Sequence, residues 1–124
     1  MSSLPKISVI GAGNVGSSAA YRALELNLAD VVLLDIVDGL PQGKALDMTQ
    51  MMSVTGSSSR IIGTTDYSDT KDSDIVIVTS GLARKPGMSR DDLINTNTKI
   101  IKDVTEKVVQ HSPNSITVSY THLT

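Results

Sequence analysis

Short apolar stretches alternate with longer amphipathic stretches along the chain. The short stretches are rich in valine and isoleucine and predict β-strands. These strands span 7–10, 31–34, 61–62 and 75–78. The second and fourth are continuously apolar, which is typical of parallel strands buried on both faces. The stretches between them predict helices at 15–28, 43–52 and 90–110. This alternation predicts an α/β fold, a Rossmann-type doubly wound parallel sheet.

Composition limits the alternatives without choosing among them. The 124 residues suffice for one compact domain and are too few for two. A net charge of -2 gives no reason to expect nucleic acid or an acidic membrane surface as a partner. Cysteine is absent, so neither disulfides nor a thiolate metal site can form, and we expect no metal. With no secretory leader pattern and no membrane-spanning apolar run, we expect a cytoplasmic protein.

A glycine-rich turn joins the first predicted strand to the first predicted helix. Gly11, Gly13 and Gly16 have the spacing of a dinucleotide-binding turn. In that interpretation Gly11 permits the tight turn, Gly13 allows a pyrophosphate to approach, and Gly16 allows the helix to pack closely on the strand. The phosphates would lie at the positive end of the helix. Any tight strand-to-helix turn can also use glycine, so the turn alone leaves the ligand open.

Asp35, directly after the second predicted strand, gives further evidence on which ligand the glycine turn binds. It lies nineteen positions after Gly16 (35 minus 16), close to the spacing of about 20 for a carboxylate that binds ribose. Such a carboxylate accepts hydrogen bonds from ribose hydroxyls and repels a 2′-phosphate, which favours NAD over NADP. An exposed acidic turn residue is the alternative, because Asp38 lies close by. SAM-dependent methyltransferases share this layout, so the spacing alone indicates a nucleotide-binding α/β domain.

A basic loop at 81–93 follows the fourth predicted strand. The loop has three cationic residues, Arg84, Lys85 and Arg90, within seven consecutive positions, although the chain as a whole is mildly acidic. A guanidinium group offers a planar pair of donors that matches a carboxylate, so Arg84 and Arg90 suit a dicarboxylate. A solvated basic loop is the alternative. Ser89 or Asp91 can cap the helix that follows.

The loop 81–93 resembles the mobile active-site loop of the lactate dehydrogenase-like malate dehydrogenases in the lactate/malate dehydrogenase superfamily. Other segments match the family in the same order along the chain. They are 11–16, 43–48, 65–67 and 74–76. The resemblance covers nearly the whole chain up to about Ile116, and the loop is its most specific part.

The resemblance implies an enzyme that interconverts malate and oxaloacetate by hydride transfer with NAD. Arg84 would face the second carboxylate of the substrate, where lactate dehydrogenases typically have glutamine. Arg90 would polarise the substrate carbonyl, and closure of the loop would exclude water. Family members are usually oligomers, so a homo-oligomer is expected at full length. The residues implied to contact NAD are Gly11, Ala12, Gly13, Asn14, Val15, Gly16, Asp35 and Asn97.

The last residues depart from the family pattern. The family continues with an apolar strand that ends in Thr-Asn-Pro, whereas 117–124 is polar. Residues 118–124 resemble one reading frame of a transposon-derived sequencing adapter. We therefore expect a truncated NAD-binding domain at 1–117 and a non-native tail at 118–124, in which His122 has no role. The His/Asp pair and third arginine of the family would lie beyond the chain, so no catalytic residue is assigned and the chain alone is expected to be inactive.

Three alternatives remain at this point. The chain could be a nucleotide-binding module without catalysis, or part of an enzyme that acts on lactate or another 2-hydroxy acid. Arg84 argues against lactate. A methyltransferase fits less well, because it has no use for the arginine loop.

Overall fold

The computed structural model describes residues 4–81 and 85–120. Within these ranges five strands and three α-helices alternate, with a short 3₁₀ helix at Tyr67–Thr70. The strands are β1 (Lys6–Ile10), β2 (Asp30–Leu34), β3 (Ile61–Thr64), β4 (Ile75–Val78) and β5 (Ile116–Ser119). The helices are α1 (Asn14–Glu25), α2 (Leu40–Thr55) and α3 (Arg90–His111). None of these helices is both long enough and apolar enough to cross a membrane.

The strands form one parallel sheet in the order β3-β2-β1-β4-β5. The chain therefore winds outward from β1 in one direction and then in the other, so the predicted Rossmann-type doubly wound sheet is confirmed. In such a sheet, ligands bind beyond the carboxyl ends of the strands where the winding direction changes. Here that point lies after β1 and β4.

Alternation along the strands produces a core on each face of the sheet. Val9 and Leu33 pack with α1 and α2, whereas the next residues along the same strands, Ile10 and Leu34, pack with Val104 and other residues on the α3 side. Successive side chains of a strand point to opposite faces. Each helix therefore rests on an apolar layer and leaves the carboxyl edge of the sheet uncovered.

The helix boundaries differ from the predicted ones for local reasons. Helix α1 ends at Glu25, before the predicted end, and Asn27 follows in a left-handed conformation with φ 55°. Helix α2 begins at Leu40, before the predicted start, because a proline is tolerated in the first turn. It ends at Thr55, and the following Gly56 is left-handed and donates its N–H to the Met52 carbonyl.

The last strand forms in spite of its polar sequence. β5 pairs with β4 from Ile116 to Ser119, and all four of its side chains are exposed. Among residues 4–81 and 85–120 it is an edge strand, with β4 as its one neighbour in the sheet. The apolar strand that the family pattern predicts at this point is typical of a strand covered on both faces, and the faces of β5 are exposed.

Candidate cofactor-binding site

The glycine turn is shaped by close approaches that allow no side chain at two positions. Gly11 has φ +111°, and a Cβ there would lie 2.5 Å from the Thr79 hydroxyl oxygen. A Cβ on Gly16 would lie 1.8 Å from the Gly11 carbonyl oxygen. The turn therefore folds back onto the start of α1, and the expected roles of Gly11 in the turn and Gly16 in packing agree with this geometry.

The opening of α1 has the features of an anion site. Gly13 caps the helix without any side-chain hydrogen bond, and the first turn contains no acidic residue. The first N–H groups of a helix have no partner within the helix and carry its positive dipole end. Gly13 is exposed, and a Cβ there would meet nothing within 4 Å. The space and the donors fit a phosphate group.

The buried Ala12 lies at the centre of the turn and is bonded on both sides. Its N–H donates to Asp35 Oδ2 at 2.7 Å, which joins the turn to the end of β2. Its carbonyl accepts from Lys44 Nζ at 2.6 Å and from the Ser17 hydroxyl at 3.1 Å. The turn is thus held by β2, α1 and α2 together.

Asp35 lies immediately after β2, where the sequence predicts a ribose-binding carboxylate. Its Oδ1 accepts from the Val37 N–H at 3.0 Å, while its Oδ2 accepts from Ala12. Each carboxylate oxygen has a second lone pair, so both can accept one further hydrogen bond. The carboxylate is therefore fixed in direction and still able to bind hydroxyl groups.

A cavity of about 410 Å³ opens at this edge of the sheet. Its lining comes from the loops after β1, β2, β3 and β4 and from one face of α3. The lining residues include Gly11, Gly13, Asp35, Tyr67, Ser80, Ile100, Asp103 and Val104. The glycine turn and Asp35, predicted separately, are thus brought together in one cavity that also contains apolar surface.

Tyr67 places an aromatic ring in the lining of this cavity. Burial raises the pKa of its hydroxyl to about 12, with smaller contributions from the negative charges of Asp103 and Asp35. The ring stacks on His111 at 6.4 Å between centroids, and Lys107 Nζ lies 5.1 Å from its centre. These contacts hold the ring at the cavity wall.

The basic loop is described only in part. Arg84 lies outside the described residues, and so does His122. Arg90 is exposed and is the first residue of α3, while Asn97 is half-buried further along that helix. Among the described residues that line the cavity, neither Arg90 nor Asn97 is found. Ser89 caps α3 as predicted, accepting from the Asp92 N–H at 3.1 Å.

Two residues at this edge were not singled out as site residues from the sequence. Lys44 lies on α2, 32 positions after Ala12, so only the folded chain shows their contact. Tyr67 could have been singled out from the sequence, because it is one of only three tyrosines in a chain without phenylalanine or tryptophan and it follows a predicted strand. Within the described ranges, no group of three acidic or histidine residues could hold a metal ion.

Comparison with known proteins identifies the family. The family profile described as lactate/malate dehydrogenase, NAD binding domain, matches residues 5–121. Malate dehydrogenase from Methanosarcina mazei is 56% identical over 117 residues, which are 94% of this chain and 38% of that protein. Malate dehydrogenase from Heliobacterium modesticaldum is 57% identical over 113 residues, 91% of this chain and 37% of that protein.

Solved structures agree with this assignment. Apo malate dehydrogenase from Picrophilus torridus has a TM-score of 0.90 and 45% identity, over 93% of this chain and 37% of that one. Lactate dehydrogenase from Cryptosporidium parvum, solved with lactic acid and NAD, has a TM-score of 0.89 and 45% identity. This match covers 98% of this chain and 38% of that one. The chain thus spans less than two fifths of these relatives. It belongs to the lactate/malate dehydrogenase family and corresponds to the NAD-binding domain of that family.

Proposed function

We propose that this chain is the cofactor-binding part of a cytoplasmic, NAD-dependent malate dehydrogenase. The observation that carries the cofactor assignment is the fixed Asp35 carboxylate beside the open start of α1, both in the wall of one cavity. The start of α1 suits the pyrophosphate, and Asp35 suits the ribose hydroxyls and repels a 2′-phosphate. Malate as the substrate is supported by Arg84 in the sequence and by relatives named malate dehydrogenase.

The residues of this chain would bind and orient the reactants. The contacts to NAD are assigned to the turn 11–16, Asp35 and Asn97. When bound, NAD accepts the hydride that leaves the hydroxyl-bearing carbon of malate. Arg90 would stabilise the charge on the substrate oxygen, and Arg84 would pair with the second carboxylate. No residue described here is assigned as the proton acceptor, so turnover requires groups outside this chain. The full-length protein is proposed to be a homo-oligomer.

Replacing Arg84 in the full-length protein tests the substrate assignment. Glutamine keeps the hydrogen-bonding ability but cannot neutralise a carboxylate, so Arg84→Gln should lower kcat/KM for oxaloacetate by about 100-fold or more. For pyruvate, which lacks the second carboxylate, the loss should be about tenfold smaller or absent. The measurement is steady-state oxidation of NADH with each of the two acids.

Lys85→Gln is the matched control, because it removes a positive charge from the neighbouring position of the same loop. It should change the two kcat/KM values by similar, small factors. An equal loss on both acids in Arg84→Gln would contradict the specificity role. The same assay tests the second candidate, a lactate dehydrogenase, which is considered because the chain is also similar to the lactate dehydrogenase of Cryptosporidium parvum. A wild-type preference for pyruvate would support that candidate instead.

A further inference from the structure

The peptide bond between Ala12 and Gly13 has its orientation fixed by a side chain from another helix. Its carbonyl oxygen accepts a hydrogen bond of 2.6 Å from Lys44 Nζ on α2. In a trans peptide the carbonyl and the N–H point in opposite directions. A cation that holds the Ala12 carbonyl on one side therefore directs the Gly13 N–H to the other side. We propose that Lys44 is a positioning residue that keeps this N–H directed at the pyrophosphate of the cofactor.

The preceding peptide, between Gly11 and Ala12, is also held at both of its polar atoms. The Ala12 N–H donates to Asp35 Oδ2 at 2.7 Å, and the Gly11 carbonyl accepts from the Thr79 hydroxyl at 3.2 Å. The Ala12–Gly13 peptide has no such anchor from the sheet. Its carbonyl is held by Lys44 and, at 3.1 Å, by the Ser17 hydroxyl. Removing Lys44 would thus leave this peptide held only by the longer hydrogen bond from Ser17, while the preceding peptide stays fixed.

The turn needs this anchor because its conformation is easily changed at Gly13. Rotating the peptide before Gly13 changes the φ angle of Gly13, and glycine adopts positive as well as negative φ because it has no Cβ. A rotated peptide would present the Ala12 carbonyl oxygen, rather than an N–H, to the phosphate. Two negatively polarised oxygens would then face each other, and phosphate binding would be lost.

The positive charge of Lys44 strengthens its hydrogen bond to the Ala12 carbonyl. A hydrogen bond from an ammonium group is about twice as strong as one between neutral groups. It also polarises the peptide, which makes the Gly13 N–H a better donor. Lys44 is half-buried, and the Ala12 residue that it contacts is fully buried, so water competes weakly for this bond. Ser17, a neutral donor at a longer distance, is expected to contribute less.

Binding measurements on the full-length protein test this inference, which rests on the proposed NAD site. Lys44→Met should raise the Kd of NADH and of ADP-ribose about tenfold or more, because both contain the pyrophosphate. The Kd of adenosine, which lacks it, should change less than about twofold. Lys44→Arg retains a cationic donor and should recover most of the affinity, and Ser17→Ala should have a smaller effect than Lys44→Met. Lys102→Met, at an exposed position of α3, is the charge-matched control and should leave all three values unchanged.

Two further measurements separate positioning from a general structural role. The melting temperature of Lys44→Met should remain close to that of the wild type. The amide resonance of Gly13 should shift on addition of ADP-ribose in the wild type and much less in Lys44→Met. An unchanged Kd for NADH in Lys44→Met, or an equal loss for adenosine, would overturn the inference. If the wild type binds none of the three ligands, the proposed function fails together with it.

Discussion

At the scale of single residues, Tyr67 combines packing and charge in the cavity wall. Its ring stacks on the imidazole of His111, and the ammonium group of Lys107 lies 5.1 Å from the ring centre. Its hydroxyl is affected by burial first and then by the charges of Asp103 and Asp35. All three effects oppose ionisation of the phenol. The neutral hydroxyl therefore persists well above the pH at which an exposed tyrosine ionises.

This predicts a distinct alkaline titration. The pKa of Tyr67 is about 12 in the folded protein against an ordinary value of 10, so folding favours the protonated form. Its contribution to stability is complete below pH 10 and is lost as the pH rises towards 12. The ultraviolet absorbance of tyrosinate should show one of the three tyrosines ionising late. Tyr67→Phe should remove that late phase and leave the earlier absorbance change intact. Loss of an early phase instead would assign the shifted pKa to another tyrosine.

Residue types and their spacing predicted the part of the site that is local in sequence. The turn 11–16, the carboxylate of Asp35 and the cap at Ser89 each depend on neighbours within a few positions, or on a known strand-to-strand spacing. Lys44 and Asp103 reach the site only after the helices have docked on the sheet. No local sequence pattern distinguishes Lys44 from the other lysines, so its contact with Ala12 could not be predicted.

At the scale of elements, the approach of α2 to β3 depends on one glycine. A Cβ on Gly63 would lie 2.1 Å from the Pro41 carbonyl oxygen and 2.3 Å from its carbonyl carbon. These are backbone atoms, which cannot rotate away as a side chain could. Helix α2 carries Lys44, so this close approach also sets the position from which Lys44 reaches the glycine turn.

Substitution of this glycine should therefore be costly. Gly63→Ala should lower the free energy of unfolding by about 1–3 kcal/mol, because the two backbones must separate. Gly43→Ala is the matched control. Gly43 is exposed within α2, has no positive φ, and a Cβ there meets nothing within 4 Å. Alanine at that position should stabilise the protein by up to about 1 kcal/mol. Urea denaturation measures both, and similar effects of the two changes would contradict the close approach as the cause.

Element positions were predictable where the hydrophobic period was clear, and less so at their ends. The strands at 7–10 and 75–78 and the start of α3 match the structure. The end of α1 was set by the left-handed Asn27, a residue type that adopts this conformation without requiring it. The start of α2 was set by Pro41, which was not used as a start signal. Both helix ends depend on local backbone geometry, which the period of apolar residues does not predict.

At the scale of the whole molecule, the sheet has two different edges. β3 is one edge and β5 is the other, next to β4. The side chains of β5 are exposed, with Ile116 at 67% and Val118 at 49%. The relatives are more than twice as long as this chain, so most of their residues have no counterpart in it. In an extended sheet β5 would be an inner strand with helices over its faces, and inner parallel strands are continuously apolar.

The polar residues of β5 therefore bear on our proposal that 118–124 is not native sequence. The backbone pairs with β4 as far as Tyr120, whose N–H donates to the Val78 carbonyl at 2.9 Å. Backbone pairing does not depend on side chains, so a non-native sequence can also pair with β4, and the family profile extends to residue 121. The side chains do bear on the proposal, because a serine at 119 suits an exposed edge and not a covered strand.

The proposal predicts what the gene contains after the codon for Thr117. A genomic read across that point should continue into an apolar run of about five or six residues, the usual length of a strand. It should then supply a further arginine and a His/Asp pair, which the resemblance to the family implies for the proposed chemistry. If the codons for 118–124 are instead genomic and a stop codon follows, the dehydrogenase proposal fails for this chain. The glycine turn 11–16 and Asp35 would then belong to a nucleotide-binding module without catalysis. The affinities of the 124-residue chain for NADH and ADP-ribose would test whether it has that function.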